Sequence, residues 1–207
     1  MKTIFLIFCL SLFSYAKAQE ANISDKKVGV SFTFAGKNDV INTEVLDGAG
    51  STYGEGFFSI GLSYQRDMAK DWLKFKTGLE YSHQKIRSEP AFNPNIELRP
   101  TFSSFSLITI PATFKARFLK FLFVEGGGIM DVYTGPDAKI DSQAGIGFEL
   151  GYGLQHEIKS GWTFTIHHYA RMHSLLSFMG NGQQHVWENG IRLGIYMPFS
   201  VFPGKEN

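Results

Sequence analysis

"LITIPATFKARFLKFLFVEGGG", residues 107–128, reads as two extended segments with almost nothing between them. Side chains of a strand alternate between faces. Counting by twos puts Ile108, Ile110, Ala112, Phe114, Ala116 and Phe118 on one face and Thr109, Thr113, Lys115 and Arg117 on the other. One face seeks an apolar environment, while the other carries hydroxyls and charge.

The same alternation recurs along the chain. Val28, Val30, Phe32 and Phe34 oppose Gly29, Ser31 and Thr33, and Phe58, Ile60, Leu62 and Tyr64 oppose Ser59, Gly61, Ser63 and Gln65. Leu73, Phe75, Leu79 and Tyr81 oppose Lys74, Lys76, Gly78, Glu80 and Ser82. In "AGIGFELGYGLQ" the apolar series Ala144 to Leu154 faces away from four glycines, Glu149 and Gln155. "WTFTIHHYARM" and "WENGIRLGIYMPF" complete about eight such runs.

Composition bounds the class. Of 207 residues, 43% are hydrophobic and 15% aromatic, which fits a folded chain and one domain. "MKTIFLIFCLSLFSYAKAQ" has Lys2, an apolar run and Ala16-Lys17-Ala18, the layout of a secretory signal. Cleavage is expected after Ala18, giving a signal over 1–18 and a barrel domain over 19–207. The mature chain then holds 18 basic and 19 acidic residues, which excludes nucleic acid as an expected partner. The one cysteine, Cys9, lies inside the signal, so no disulfide is expected.

Connections alternate in length. Short ones fall near residues 67–71, 119–121 and 157–161, and long polar ones fill about 37–55, 87–103, 134–141 and 174–185. Eight alternating strands with short turns at one end and long loops at the other are the signature of an up-and-down transmembrane β-barrel. Its apolar parity meets lipid, its charged parity fills the lumen, and every backbone group is paired around the ring. Pro111 removes one ladder donor, so a bulge or a bound water is expected beside it. Trp162, Tyr64, Tyr152 and Phe199 at one end and Phe58, Tyr81 and Trp187 at the other are expected to form interfacial girdles.

"LITIPATFKARF", then "FLFVEGGGIMDVY", then "AGIGFELGYG", resembles the outer-membrane β-barrel family that includes PorT-like proteins of Bacteroidota, whose fourth strand carries an Ile-Pro and a following lysine. "RLGIYMPF" is similar to a barrel-assembly signal, with Gly194, Met197 and Phe199, although "SVFPGKEN" follows it. The resemblance implies an integral outer-membrane protein in contact with membrane lipid and inserted by the barrel-assembly machinery. It also implies a structural, recognition or secretion-accessory role, with a protein partner at the surface loops or the periplasmic face.

Catalytic alternatives are weaker. A lipid A-modifying enzyme with a His-x-Ser pair needs the serine within reach of its base, but Ala170 stands at that spacing from His168, and the adjacent His173 and Ser174 would face opposite sides of a strand. His168 falls on the lipid parity. No metal site, cofactor or catalytic residue is expected. A soluble lipocalin-like barrel would need the opposite parity and would leave glycine and serine on its outer wall.

The expected lumen therefore holds Lys74, Lys76, Lys115, Arg117, Arg171 and Arg192 against Glu80, Glu125, Asp131, Glu149 and Glu188. Eight strands enclose only enough room for side chains, so these groups should pair. A three-residue turn at Leu119–Phe121 would set Lys115 opposite Glu125 and make them an ion pair.

Overall fold

The computed structural model describes residues 26–42, 50–68, 72–91, 99–134, 140–179 and 184–199. The expected cleavage after Ala18 and the tail beyond Phe199 lie outside these residues. The strands are β1 (Lys26–Asn42), β2 (Ser51–Asp67), β3 (Leu73–Glu89), β4 (Thr101–Phe118), β5 (Leu122–Thr134), β6 (Gly145–Glu157), β7 (Thr163–Ser177) and β8 (Gln184–Pro198). Each pairs antiparallel with its chain neighbour, and β1 closes on β8 to complete an eight-stranded barrel.

Parity sets the two surfaces. Leu62, Ile60, Leu79, Leu150 and Tyr152 are between 56 and 63% exposed on the outer wall. Lys76, Glu80, Lys115, Glu125, Glu149, Arg171 and Arg192 are at most 5% exposed on the inner one. So continuous an apolar belt exceeds what a water-soluble monomer displays, and its solvent is lipid. The inverted parity of a lipocalin-like barrel is overturned by this arrangement.

The strands run longer than the sequence pattern suggests. Strand continues into both ends of 37–55 and 87–103, the segments expected to be loops, through 37–42, 51–55, 87–89 and 101–103, so that β1 to β4 reach 17 or 18 residues. Bulges hid the continuation. Ala35, at φ 53°, lies where the β1 register shifts, and Gly56, at φ 99°, lies at the shift in β2. An extra residue reverses parity, so Asn38 and Val40 point inward where Thr33 did before. A strand of 17 residues spans about 56 Å, more than the roughly 10 residues a tilted transmembrane strand needs. One side of the barrel thus stands as a lip beyond the lipid at the long-loop end.

Two local expectations are corrected. Pro111 makes no bulge: β3 and β4 keep one register from Leu73–Ala116 to Ser88–Thr101, losing pairing only opposite Ile110 and Pro111. Ser174, at φ 54°, sits in a β7 bulge, so His173 and Ser174 are both buried instead of facing opposite sides. The Leu119–Phe121 turn pairs Phe118 with Leu122, and Leu119 takes φ 58°.

Candidate functional site in the filled lumen

Inward residues of β3, read from the short-turn end, are Lys74, Lys76, Gly78, Glu80, Ser82, Gln84 and Ile86. On β4 they are Lys115, Thr113, Pro111, Thr109, Leu107 and Phe105. Both run from cationic to apolar, so the lumen is layered along its axis.

Lysines occupy the short-turn end. Lys27 Nζ lies 2.9 Å from Glu157 and donates to Thr163 Oγ1 at 2.8 Å. Lys74 pairs with Asp67, and Lys76 with Glu125. Lys115 is the register partner of Glu125, yet its ammonium stands 3.8 Å over the centroid of the Phe123 ring. The expected Lys115–Glu125 ion pair is thus replaced by one from the neighbouring strand. Facing backbone positions do not fix which flexible tip reaches a carboxylate. Arg117, at the strand end, is half-buried and joins none of the ion pairs among the described residues.

The middle layer is a two-arginine, two-glutamate cluster. Arg171 donates to Glu80 at 2.9 and 3.1 Å and to Glu149 at 2.9 Å. Arg192 donates to Glu149 and to Glu80 at 3.1 Å each, with its guanidinium 3.9 Å over the Tyr169 ring. Four strands are joined through their side chains. Charge-assisted, forked bonds satisfy buried carboxylates that would otherwise be strongly destabilising.

Above this cluster, Glu188 accepts from Arg171 at 3.1 Å and from Gln84 at 2.9 Å. His173 places Nε2 2.9 Å from Glu188 and Nδ1 2.9 Å from Asp131, whose other oxygen accepts from Thr109 at 2.6 Å. His173, Gln84 and Lys27 share the inward parity and were legible by it, although charge alone did not single them out. Toward the long-loop end, Val40, Ile86, Phe105, Leu107 and Val186 form a buried apolar cluster, with Tyr133 and Ile140 packed on it. A polar lumen was expected here. The bulges in β1 and β2, together with inward positions inside segments taken for loops, concealed this plug.

Outside, His168 sets its ring 5.7 Å from that of Tyr152, its register partner, at a tilt of 43°, which gives the lipid-side histidine an aromatic neighbour. Both nitrogens of His173 are engaged by carboxylates, while Ser174 Oγ has no hydrogen-bond partner among the described residues. Among the described residues no group of three His, Cys, Asp or Glu side chains is arranged to hold a metal ion.

No family model and no curated protein matches the sequence. Solved structures do match its shape. The outer membrane protein OprG of Pseudomonas aeruginosa superposes with a TM-score of 0.51 at 9% identity, over 87% of this chain and 100% of that one. AlkL, an outer membrane protein solved in lipid bilayers, gives 0.49 at 10% identity, over 90% and 97%. Ail of Yersinia pestis gives 0.39 at 13% identity, over 84% and 99%. The chain is therefore an eight-stranded β-barrel with the fold of outer-membrane proteins, its apolar wall turned to lipid and its lumen filled by side chains.

Proposed function

We propose that the protein is a non-catalytic outer-membrane barrel, closed to solute flow, that acts by presenting its long-loop end to a protein partner. The layered lumen carries this reading. An apolar plug, a carboxylate–imidazole layer and a double arginine clamp lie in series, and a solute would have to displace all three. A barrel of eight strands has no width to spare around them. The outer lip of β1 to β4 then offers a strand-paired wall for contact, with Ile41, Tyr53 and Phe102 exposed among polar neighbours. The engaged state of His173 supports a structural and not a hydrolytic role for that histidine.

Within this role, the resemblance to PorT-like proteins supports service to protein export. Planar-bilayer recording tests the closed lumen: wild-type protein should show no steady conductance above the bare membrane, and large ion-selective steps would overturn the proposal. Deletion of the gene should then impair delivery of exported proteins to the cell surface while leaving permeability to small solutes unchanged.

A further inference from the structure

The short-turn half of the lumen has one ammonium more than it has carboxylates. Lys27 is matched by Glu157, Lys74 by Asp67 and Lys76 by Glu125, one to one. Lys115, 2% exposed, is left with the faces of Phe123 at 3.8 Å and Tyr196 at 5.7 Å and with no ion pair among the described residues. Its charged neighbours are Glu125, Lys76, Lys74 and Lys27. Glu125 is already held by Lys76 and accepts from Thr113 at 3.1 Å.

A second, independent observation marks the same region. His167, 3% exposed, rests edge-on against Phe123 at 5.5 Å, the ring that carries Lys115, and neither of its nitrogens has a hydrogen-bond partner among the described residues. Gln65, 2% exposed, has an unpartnered amide nitrogen, and the Ser63 hydroxyl two residues along β2 is unpartnered as well. Gln65 is the register partner of both Lys27 and Lys76, which places it in the lysine layer. Buried polar groups are rarely left unsatisfied, and most of these are donors. One surplus positive charge beside a set of free donors is the complement of one small anion.

We propose that this layer binds a monovalent inorganic anion of the halide class, held by Lys115 Nζ with N–H donors from His167 and Gln65. Size and charge set the class. Lys115, among the described residues the one deeply buried ammonium without a carboxylate, brings a single charge, and the narrow lumen accommodates an ion more readily than a phosphate ester or an organic acid.

The test uses full-length mature protein refolded in detergent. Crystals soaked in bromide should give an anomalous peak beside Lys115 Nζ. In solution, replacing gluconate by chloride at constant ionic strength should lower the unfolding constant as 1 + [Cl⁻]/Kd, about tenfold for each tenfold rise above Kd. Lys115→Met keeps the aliphatic stem on the two aromatic rings and should abolish both the peak and the chloride dependence. Should that variant not fold, His167→Phe should weaken the chloride dependence while Lys115→Arg retains it. Absence of a wild-type peak, or equal chloride dependence in wild type and Lys115→Met, overturns the proposal in favour of a neutral Lys115 amine.

Discussion

Lys115 and Glu125 face each other across the β4–β5 ladder, yet Glu125 is paired by Lys76 from β3 and Lys115 lies on the Phe123 ring. Backbone register and side-chain pairing are separate facts in a narrow lumen. Long side chains from adjacent strands reach the same carboxylate, and the better-placed tip takes it.

The partner of Glu125 is therefore separable by a double-mutant cycle. Glu125→Gln should destabilise by about 3–5 kcal/mol, because Lys76 is stranded in a buried site. Adding Lys76→Met should restore much of the loss, whereas adding Lys115→Met should not. Urea midpoints of unfolding in lipid vesicles measure the coupling, and a larger coupling to Lys115 would reverse the assignment.

Arg171 forms ion pairs with three carboxylates of the lumen, Glu80, Glu149 and Glu188. Replacing it with lysine keeps the charge but loses the fork that serves three carboxylates at once. Arg171→Lys should lower stability clearly, and Arg171→Ala should do so more severely, to the point of losing the heat-modifiable folded band on gels. Wild-type behaviour of Arg171→Ala would show that the clamp is dispensable.

In the proposed closed lumen, the apolar plug and the ionic layers are independent seals. Phe105→Ala should cost about 3–5 kcal/mol for the deleted core volume. The variant should nonetheless remain non-conducting in planar bilayers, because Arg171 and Glu188 still block the axis beneath it. Conductance from this single change would place the seal in the plug alone.

Gly29 lies against Tyr196: a Cβ built there would come 2.3 Å from the ring and 2.7 Å from the Ile195 carbonyl. Gly29→Ala should therefore slow or reduce folding. Tyr196→Leu should relieve only part of the defect, because the backbone contact persists. Refolding yield by gel mobility reads both changes.

The proposed function requires the long-loop end to face outward. Lys85 is exposed on the lip, and Lys120 is exposed in the Leu119–Phe121 turn. With the only native cysteine at position 9, Lys85→Cys should react with an impermeant maleimide on intact cells, and Lys120→Cys should react only after the outer membrane is permeabilised. The opposite pattern would invert the barrel.

Alternation alone carried the fold. Ile108 to Phe118 against Thr109 to Arg117 defined a lipid face and a lumen face, because a period of two is a property of the extended chain and needs no tertiary context. Repeated about eight times with short and long connections, it left a closed barrel as the arrangement that pairs every backbone group in lipid. The same parity put Glu80, Glu149, Arg171 and Arg192 in one lumen. What alternation could not carry was anything that breaks or transcends the period. The bulges at Ala35, Gly56 and Ser174 reverse parity by one residue, which hid the inward Val40, while Val186 keeps the parity of Glu188 and Arg192 but lies just before the run read as the last strand, so the plug was not legible. Nor does register name partners: Glu125 goes to Lys76, and His173 bridges Asp131 and Glu188, because side chains from strands far apart in sequence meet only when the ring closes. Those contacts are set by barrel stagger and side-chain reach, and both are properties of the assembled tertiary structure.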